Sequence, residues 1–429
     1  MAGIAILLLI MSGCAVLLFL KGTMLRAIAS MLVAICALIA AFGFFEPLAN
    51  LIISRAEKGF LVSLANYAQP ISFILIFAIV SAILELLALR LTREEVDLGL
   101  WPENIGRVVF GLIAGFIVSG VLITALAMIP SLPLKIPYER FDATKPKPSE
   151  PKTVLFNADG FVTNLFSTVS SGSLSGKRSF SVIHANYLDK IFLNHLPEET
   201  SILTSSTPAI NVPNDKAVWP ASDEIKNQIN ELNTNGELNT SPGKPTDSYT
   251  PMIVRVGFKK NAIKTEEKVS AGKFTASQLR LICKKSSEMQ NPLGGNAVSI
   301  YPVGYLRSAN QVQVMKEIQL DSKSFNNQPT KEIDFVFCVP NSYKPVLVEF
   351  KLNSVAQIIQ DAILTDISEA PQAATFFQRP QGQGQGAGTG PGTGAGGGPG
   401  TGNPFGGGGR GGNFNFGNRG GGAPGNGGN

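Results

Sequence analysis

Histidine is nearly absent. His184 and His195 are the only two in 429 residues, so metal sites or triads built on imidazole have little material to work with. Cysteine is almost as scarce: Cys14, Cys36, Cys283 and Cys338 include no pair at CxxC spacing, which argues against a zinc ribbon and against a disulfide-rich scaffold. An excess of one charge is lacking too. Lys and Arg number 36 against 31 Asp and Glu, and a net +5 spread along the chain is no nucleic-acid footprint. Motif fragments fail on their own residues. Around Asn157-Ala158-Asp159-Gly160 a calcium loop would need ligands where Leu155 and Phe166 stand, and Gly176-Lys177-Arg178 lacks the first glycine and the Ser or Thr of a phosphate loop. With no nucleophile and base to pair, the sequence points away from an enzyme, and no metal or cofactor is expected.

What is abundant is apolar length. A bilayer core of roughly 30 Å takes about 20 helical residues, and the runs 3–20, 27–45, 71–91 and 108–130 meet that requirement. No Lys or Arg precedes the first run, Met11 is a poor residue three before Cys14, and the run continues to Leu20. It therefore reads as a retained span rather than a signal peptide or lipoprotein leader. Between spans two and three, Leu48, Leu51, Ile52, Phe60, Leu61 and Leu64 alternate with Arg55, Glu57 and Lys58, which predicts an amphipathic helix in the headgroup plane. Small residues let helices approach in lipid. Gly111, Gly115 and Ser119 in span four, with Ser30 and Ala34 in span two, form such ridges. Packing within a four-helix bundle is expected ahead of a homo-oligomer, which the same ridges could also build. Glu85 is the ionisable residue well inside a span; it marks either an ion or proton path or a side chain reaching toward Arg90 and Arg93 near the interface.

The short first loop with Lys21-Gly22 and Arg26, the amphipathic connection, and Asn104-Ile105-Gly106-Arg107 running into Gly111, Gly115 and Gly120 carry a resemblance. Residues 1–133 are similar to the colicin V production (CvpA) family of bacterial inner-membrane proteins. The resemblance implies a multi-pass membrane domain associated with toxin production, toxin export or envelope maintenance, and it implies no catalytic residues.

Beyond the spans, residues 134–250 read as a connector with short helices and, from 201 to 248, a polar loop rich in Asn, Ser, Thr and Pro. His195 reads there as a packing histidine. Residues 251–365 hold six short segments rich in Val, Ile and aromatics that mostly alternate with polar residues, as in 252–258 and 332–339, and predict an antiparallel sandwich. Cys283 and Cys338 fall in two of those strands. A disulfide would form only if the strands face one another, and two free thiols are as readily accommodated. Residues 366–429 form a tail in which the last 49 residues hold 25 of the 45 glycines, a composition that builds no core and predicts disorder. Its Arg410 and Arg419 in RGG context neutralise too little phosphate to bind nucleic acid usefully.

The fold class expected is thus a bundle of four transmembrane helices plus an interfacial helix, then a small mainly-β sandwich-like domain and a disordered tail. The function expected is a non-enzymatic membrane protein whose β-domain binds an envelope or secretion partner; the alternative is a transport or conductance protein using Glu85. Lys21, Arg26, Arg90, Arg93 and Arg107 on one side are nearly balanced by Arg55, Lys58, Lys135, Arg140, Lys145 and Lys147 on the other; the third loop lies tight against its spans with arginines at both ends, which favours an extracytoplasmic β-domain.

Overall fold

Four long helices, α1 (Ala2–Lys21), α2 (Met24–Arg55), α3 (Ala68–Leu91) and α4 (Leu100–Ala127), open the computed structural model. All four are long and apolar enough to cross a membrane. The described residues are 2–55, 67–92, 99–129 and 132–376, except 133–134, 145, 173–177, 197–201, 204–208, 246–247, 261–263, 266–270, 322 and 353. The Gly-rich tail from 377 lies outside them. At 1.5 Å per residue α1 spans about 30 Å and matches the bilayer core, whereas α2 and α4 run to about 48 and 42 Å, an excess that tilt or projection beyond the core takes up. Residues 46–55, expected as the start of an interfacial helix, are instead the end of α2. Pro47 removes one backbone hydrogen bond there, and burial of Phe42, Phe45, Ala49 and Ile53 holds the helix together through it. The rest of the predicted interfacial helix, 56–66, is outside the described residues.

α1 packs against α4 and α2 against α3. Four crossings return the chain to the side of Ala2, and the Gly3 N–H donates to the Pro137 carbonyl at 2.8 Å on that side. At the other side the Glu103 carboxylate caps α2, accepting the Met24 N–H at 2.7 Å while pairing with Arg107 at 2.8 Å. A negative group suits the positive end of a helix.

On the Ala2 side a layer of short helices covers the bundle: α5 (Ala158–Ser171), α6 (Phe180–Ile183) and α7 (Tyr187–Asn194). α5 buries Val162, Phe166 and Ser170, spaced by four, and lies across the spans. Its first residue sits on Gly120 of α4, and its Phe166 ring stacks 5.1 Å from Phe42 of α2. Phe45, Phe73, Phe180 and Tyr187 complete this aromatic seam with edge-on contacts, each worth about 0.5–1.5 kcal/mol beyond burial. Just before α5, Phe156 and Asn157 take left-handed backbone at φ +57° and +51°, which costs a non-glycine residue roughly 1–2 kcal/mol.

The remaining chain is β-rich and antiparallel. Its strands are β1 (Ile202–Leu203), β2 (Ile210–Asn211), β3 (Val218–Pro220), β4 (Tyr249–Lys259), β5 (Lys264–Thr265), β6 (Ala271–Thr275) and β7 (Leu279–Lys285). Then come β8 (Val298–Ile300), β9 (Pro302–Ser308), β10 (Gln311–Val314), β11 (Glu317–Asp321), β12 (Thr330–Pro340), β13 (Tyr343–Phe350) and β14 (Ser354–Gln357). One sheet runs β10-β9-β12-β4-β2, with β3 sharing the edge of β4; a second runs β14-β13-β7-β8; β1 with β5 and β6 with β11 make two ribbons. Between the two main sheets Phe335 and Phe337 of β12, Val256 and Phe258 of β4, Leu281 of β7 and Phe350 of β13 form one apolar cluster. That is the expected sandwich.

Both sheets are also covered on their outer faces, which the sequence reading did not anticipate. Val336 of β12 and Ile253 of β4 pack with Trp219 and with Ile225 and Ile229 of a further helix, α8 (Asp223–Thr234). The stretch 201–248, expected as a loop, therefore supplies β1, β2, β3 and a helix capped by Ser222, whose Oγ accepts the Ile225 N–H at 3.4 Å. Ile282 and Leu347 of the second sheet pack on Val182 and Ala185 of the helical layer. Residues 366–376, placed in the tail by composition, return to the sheets, where Phe376 is buried against Tyr305.

Candidate functional site: a buried ionic junction

Most charged side chains stay in water, so a cluster of buried ones marks a place where structure is spent on something other than stability. β7 and β13 carry such residues on the face turned toward the helical layer. Arg280 stands between Leu279 and Leu281, and Glu349 between Val348 and Phe350, in register across the two strands. Arg280 Nε donates to Glu349 Oε2 at 2.5 Å, and Nη1 donates to the Ala185 carbonyl. Lys190 of α7 forms an ion pair with Glu349 Oε1. His184, which ends α6, connects this group to the membrane helices: its Nδ1 faces Lys190 Nζ at 2.6 Å and its Nε2 faces Glu46 Oε1 of α2 at 2.7 Å. An ammonium can only donate, so Nδ1 accepts and the imidazole proton sits on Nε2, donating to Glu46.

A second group adjoins it through α7. Arg140 Nε donates to Asp189 Oδ1 at 2.7 Å, and its Nη1 reaches the Tyr138 hydroxyl and the Lys152 carbonyl at 3.3 Å. The Tyr138 hydroxyl donates in turn to Asp159 of α5. Glu349 and Asp159 are fully buried, and Arg280, Lys190, His184, Asp189 and Arg140 are nearly so. Burial raises Asp189 although Arg140 pulls it back, and burial lowers Lys190 against the pull of Glu349. The junction thus ties α2, α5, α6, α7, β7 and β13 by charge-assisted hydrogen bonds in a largely buried setting, where such bonds hold orientation strongly.

Both histidines are held neutral. Burial, with Lys190 adding to it, pushes His184 below its ordinary value against Glu46 and Glu349, and burial takes His195 down to about 4 against a hydrogen bond to the Ala127 carbonyl. A group whose folded pKa is depressed binds fewer protons folded than unfolded, so its contribution is complete above about 6.5 and is lost as the pH falls below that. Protonation would also put an N–H of His184 against the Lys190 ammonium. Thermal unfolding of the full chain in detergent should therefore weaken between pH 7 and pH 4.5, by on the order of 2 kcal/mol for His195 alone, and the His184→Gln and His195→Gln variants should each flatten the profile. A profile unchanged by both would contradict this assignment.

The residues singled out by sequence are placed as follows. Gly111 approaches Ala15 and Gly115 approaches Met11 and Cys14 of α1, so that ridge is filled within the protein; Ser119 is buried, its Oγ donating to the Phe116 carbonyl. Ala34 lies in the bundle core. Ser30 Oγ donates to the Glu85 carboxylate at 3.1 and 3.3 Å, across the α2–α3 contact. Among the described residues no ion pair joins Glu85 to Arg90, and Arg93 lies outside them. Glu85→Gln should keep an acceptor for Ser30 and change stability by less than about 1 kcal/mol in detergent unfolding. Cys283 and Cys338 are free thiols, which corrects the possible disulfide: Cys283 points into the cluster between the sheets and Cys338 to the opposite face under α8. Burial pushes the Cys338 thiol up to about 12 and raises Cys283 further. Among the described residues no group of three His, Cys, Asp or Glu side chains is placed to hold a metal.

Residues 5–136 match the family model described as Colicin V production protein. The match covers the membrane helices and ends before the helical layer and the β-rich part. No curated protein and no solved structure matches the chain significantly.

Proposed function

We propose, from the premise of a multi-pass membrane region of colicin V production type, that the chain is a non-enzymatic protein of the bacterial inner membrane serving toxin production, toxin export or envelope maintenance. Its β-rich part is the partner-binding end. The observation that carries this reading is the ionic junction. A β-part joined to the bundle by Glu46, His184, Lys190, Arg280 and Glu349 passes the effect of a bound partner to the spans, whereas a domain on a flexible tether would not.

The partner contact belongs at the opposite end of β13, about 20 Å from Glu349 at 3.3 Å per residue. There a groove of about 370 Å³ is lined by Thr250, Asn341, Tyr343, Lys344 and Gln360 among others. Arg26, Arg90 and Arg107 flank the short loops at the far ends of the spans, which supports a cytoplasmic position for those loops and an extracytoplasmic one for the β-part.

Two measurements test the proposal. Reporters active only outside or only inside the cytoplasm, fused to the end of the chain, should read outside; the reverse result rejects the side assigned. A photoreactive residue at Asn341 or Lys344 of the full chain should cross-link one recurring envelope or secretion component in cells. Adducts to cytosolic proteins alone, or none, reject the partner-binding role.

A further inference from the structure

We infer that the N-terminal end of α5 is inserted into the acyl region of the leaflet on the Ala2 side, so that the helical layer is held to the bilayer by its own side chains as well as by the spans. The inference rests on the bundle spanning a bilayer and adds a second, non-spanning membrane contact to it.

The first ground is depth. α1 and α4 run antiparallel, with Gly111 opposite Ala15 and Gly115 opposite Met11. In that register Gly120 falls level with Ile6, about one turn inside the Ala2 end of a helix whose whole length matches the hydrocarbon core. A Cβ on Gly120 would lie 2.5 Å from the Ala158 carbonyl, so α5 starts at that depth. Phe161, one turn into α5, places its ring 5.4 Å from Phe116 of α4, a position deeper still.

The second ground is what faces outward there. Leu155, Phe156 and Phe161 are exposed at 39, 69 and 44%. They continue the lipid-facing surface of α4, on which Ile105, Val109 and Ile113 are exposed in the same way. Farther along α5 the outward residues become Asn164 and Thr168, and ahead of Leu155 stand Lys152 and Thr153, so the apolar patch is bounded by polar residues on both sides. This is the pattern of a helix end that dips below the headgroups. The third ground is backbone. Phe156 holds a left-handed conformation and its side chain is exposed, a combination unfavourable in water on both counts, of which entry into lipid relieves the exposure.

Bilayer lipid is the occupant because the patch is continuous with the surface the spans already present to it. The test uses the full chain in vesicles whose lipids carry bromine on the acyl chain near the headgroup, as a quencher of tryptophan. The chain has two tryptophans. Trp219 is buried beneath α8 and serves as the unquenched reference, and Trp101, 81% exposed on α4, reports insertion of the bundle. In a Trp101→Phe background, Phe156→Trp should add emission that brominated lipid lowers by about twofold or more and that aqueous iodide does not touch. Phe161→Trp in the same background is the second variant should Phe156→Trp fold poorly, and it should be quenched at least as strongly. If Trp101 of the unmodified chain is quenched while both introduced tryptophans are reached by iodide, this contact is absent although the bundle is inserted. Introduced tryptophans shielded from lipid and iodide alike would mean that protein, such as a second copy, covers the patch, and would equally overturn the inference. Loss of quenching at Trp101 itself would count against the spanning bundle.

Discussion

Replacing Glu349 by alanine is expected to destabilise the protein by on the order of 3–5 kcal/mol, because it leaves two cations buried without a counter-charge. Glu349 is fully buried and bonded to Arg280 and Lys190, both of which are nearly fully buried and cannot retreat to water. The comparison that gives the result meaning is the triple replacement of Glu349, Arg280 and Lys190 by apolar residues of similar volume. Removing the whole set abolishes the desolvation cost along with the attraction, so the triple variant should recover most of the stability lost by Glu349→Ala. Glu46→Gln should cost less, since Glu46 is one-third exposed and the amide oxygen still accepts from His184. Unfolding of the full chain in detergent, followed at Trp219, measures all three. A loss under 1 kcal/mol for Glu349→Ala would show that water reaches the junction and that it cannot hold the β-part rigidly to the spans.

The spans were legible in the sequence because hydropathy over about 20 residues is a strong local signal. So was the sandwich core: β4, β12 and β13 are long enough for alternation to show, and Phe335 and Phe337 fall on the inner face as the period of two requires. Elements that depend on distant partners were not legible. β2 and β3 are two and three residues long and exist because the edge of β4 offers hydrogen bonds; nothing in their own composition marks them. α8 was within reach, since Ser222 followed by Asp223 and Glu224, with Ile225 and Ile229 one turn apart, is a capped amphipathic start. α2 was cut short at Phe45, the last residue of the apolar run before Glu46, although the helix runs on through Pro47. The signal that outweighed that ending was the buried series Phe42, Phe45, Ala49 and Ile53, which carries on past the end of the apolar run at Phe45.

The junction itself left a fainter trace. Its members run from Glu46 to Glu349 with no fixed spacing, so no motif could collect them. The hint was an arginine and a glutamate, Arg280 and Glu349, each flanked by apolar residues inside a predicted strand. A charge in such a place either faces water or is paired in the interior, and only knowledge that a helical layer covers that face decides between the two. The same holds for the cysteines, whose strands were correctly placed and whose facing the sequence left open.

The substitutions Gly115→Ala and Gly120→Ala should each destabilise the protein by about 1–3 kcal/mol, although alanine is the better helix former by about 1 kcal/mol. The reason is backbone contact. A Cβ at Gly115 would lie 2.7 Å from Met11 Cα of α1, and one at Gly120 would lie 2.5 Å from the Ala158 carbonyl. Neither obstacle is the end of a flexible side chain, so a whole helix must move. Moving α1 from Gly115 forfeits the close approach that holds lipid-embedded helices together in place of a hydrophobic force. Moving α5 from Gly120 also displaces Asp159 from Tyr138, and with it one end of the buried polar chain that runs through Arg140 to Asp189. Gly13 and Gly43 supply the controls, since a Cβ there meets nothing within 4 Å; Gly13→Ala and Gly43→Ala should be neutral or slightly stabilising. The contrast separates packing inside one copy from packing between copies. If the Gly115 ridge joined two protomers, its alanine variant would lower the apparent mass in detergent and leave each protomer's unfolding unchanged, whereas a ridge filled by α1 loses stability with no change of mass.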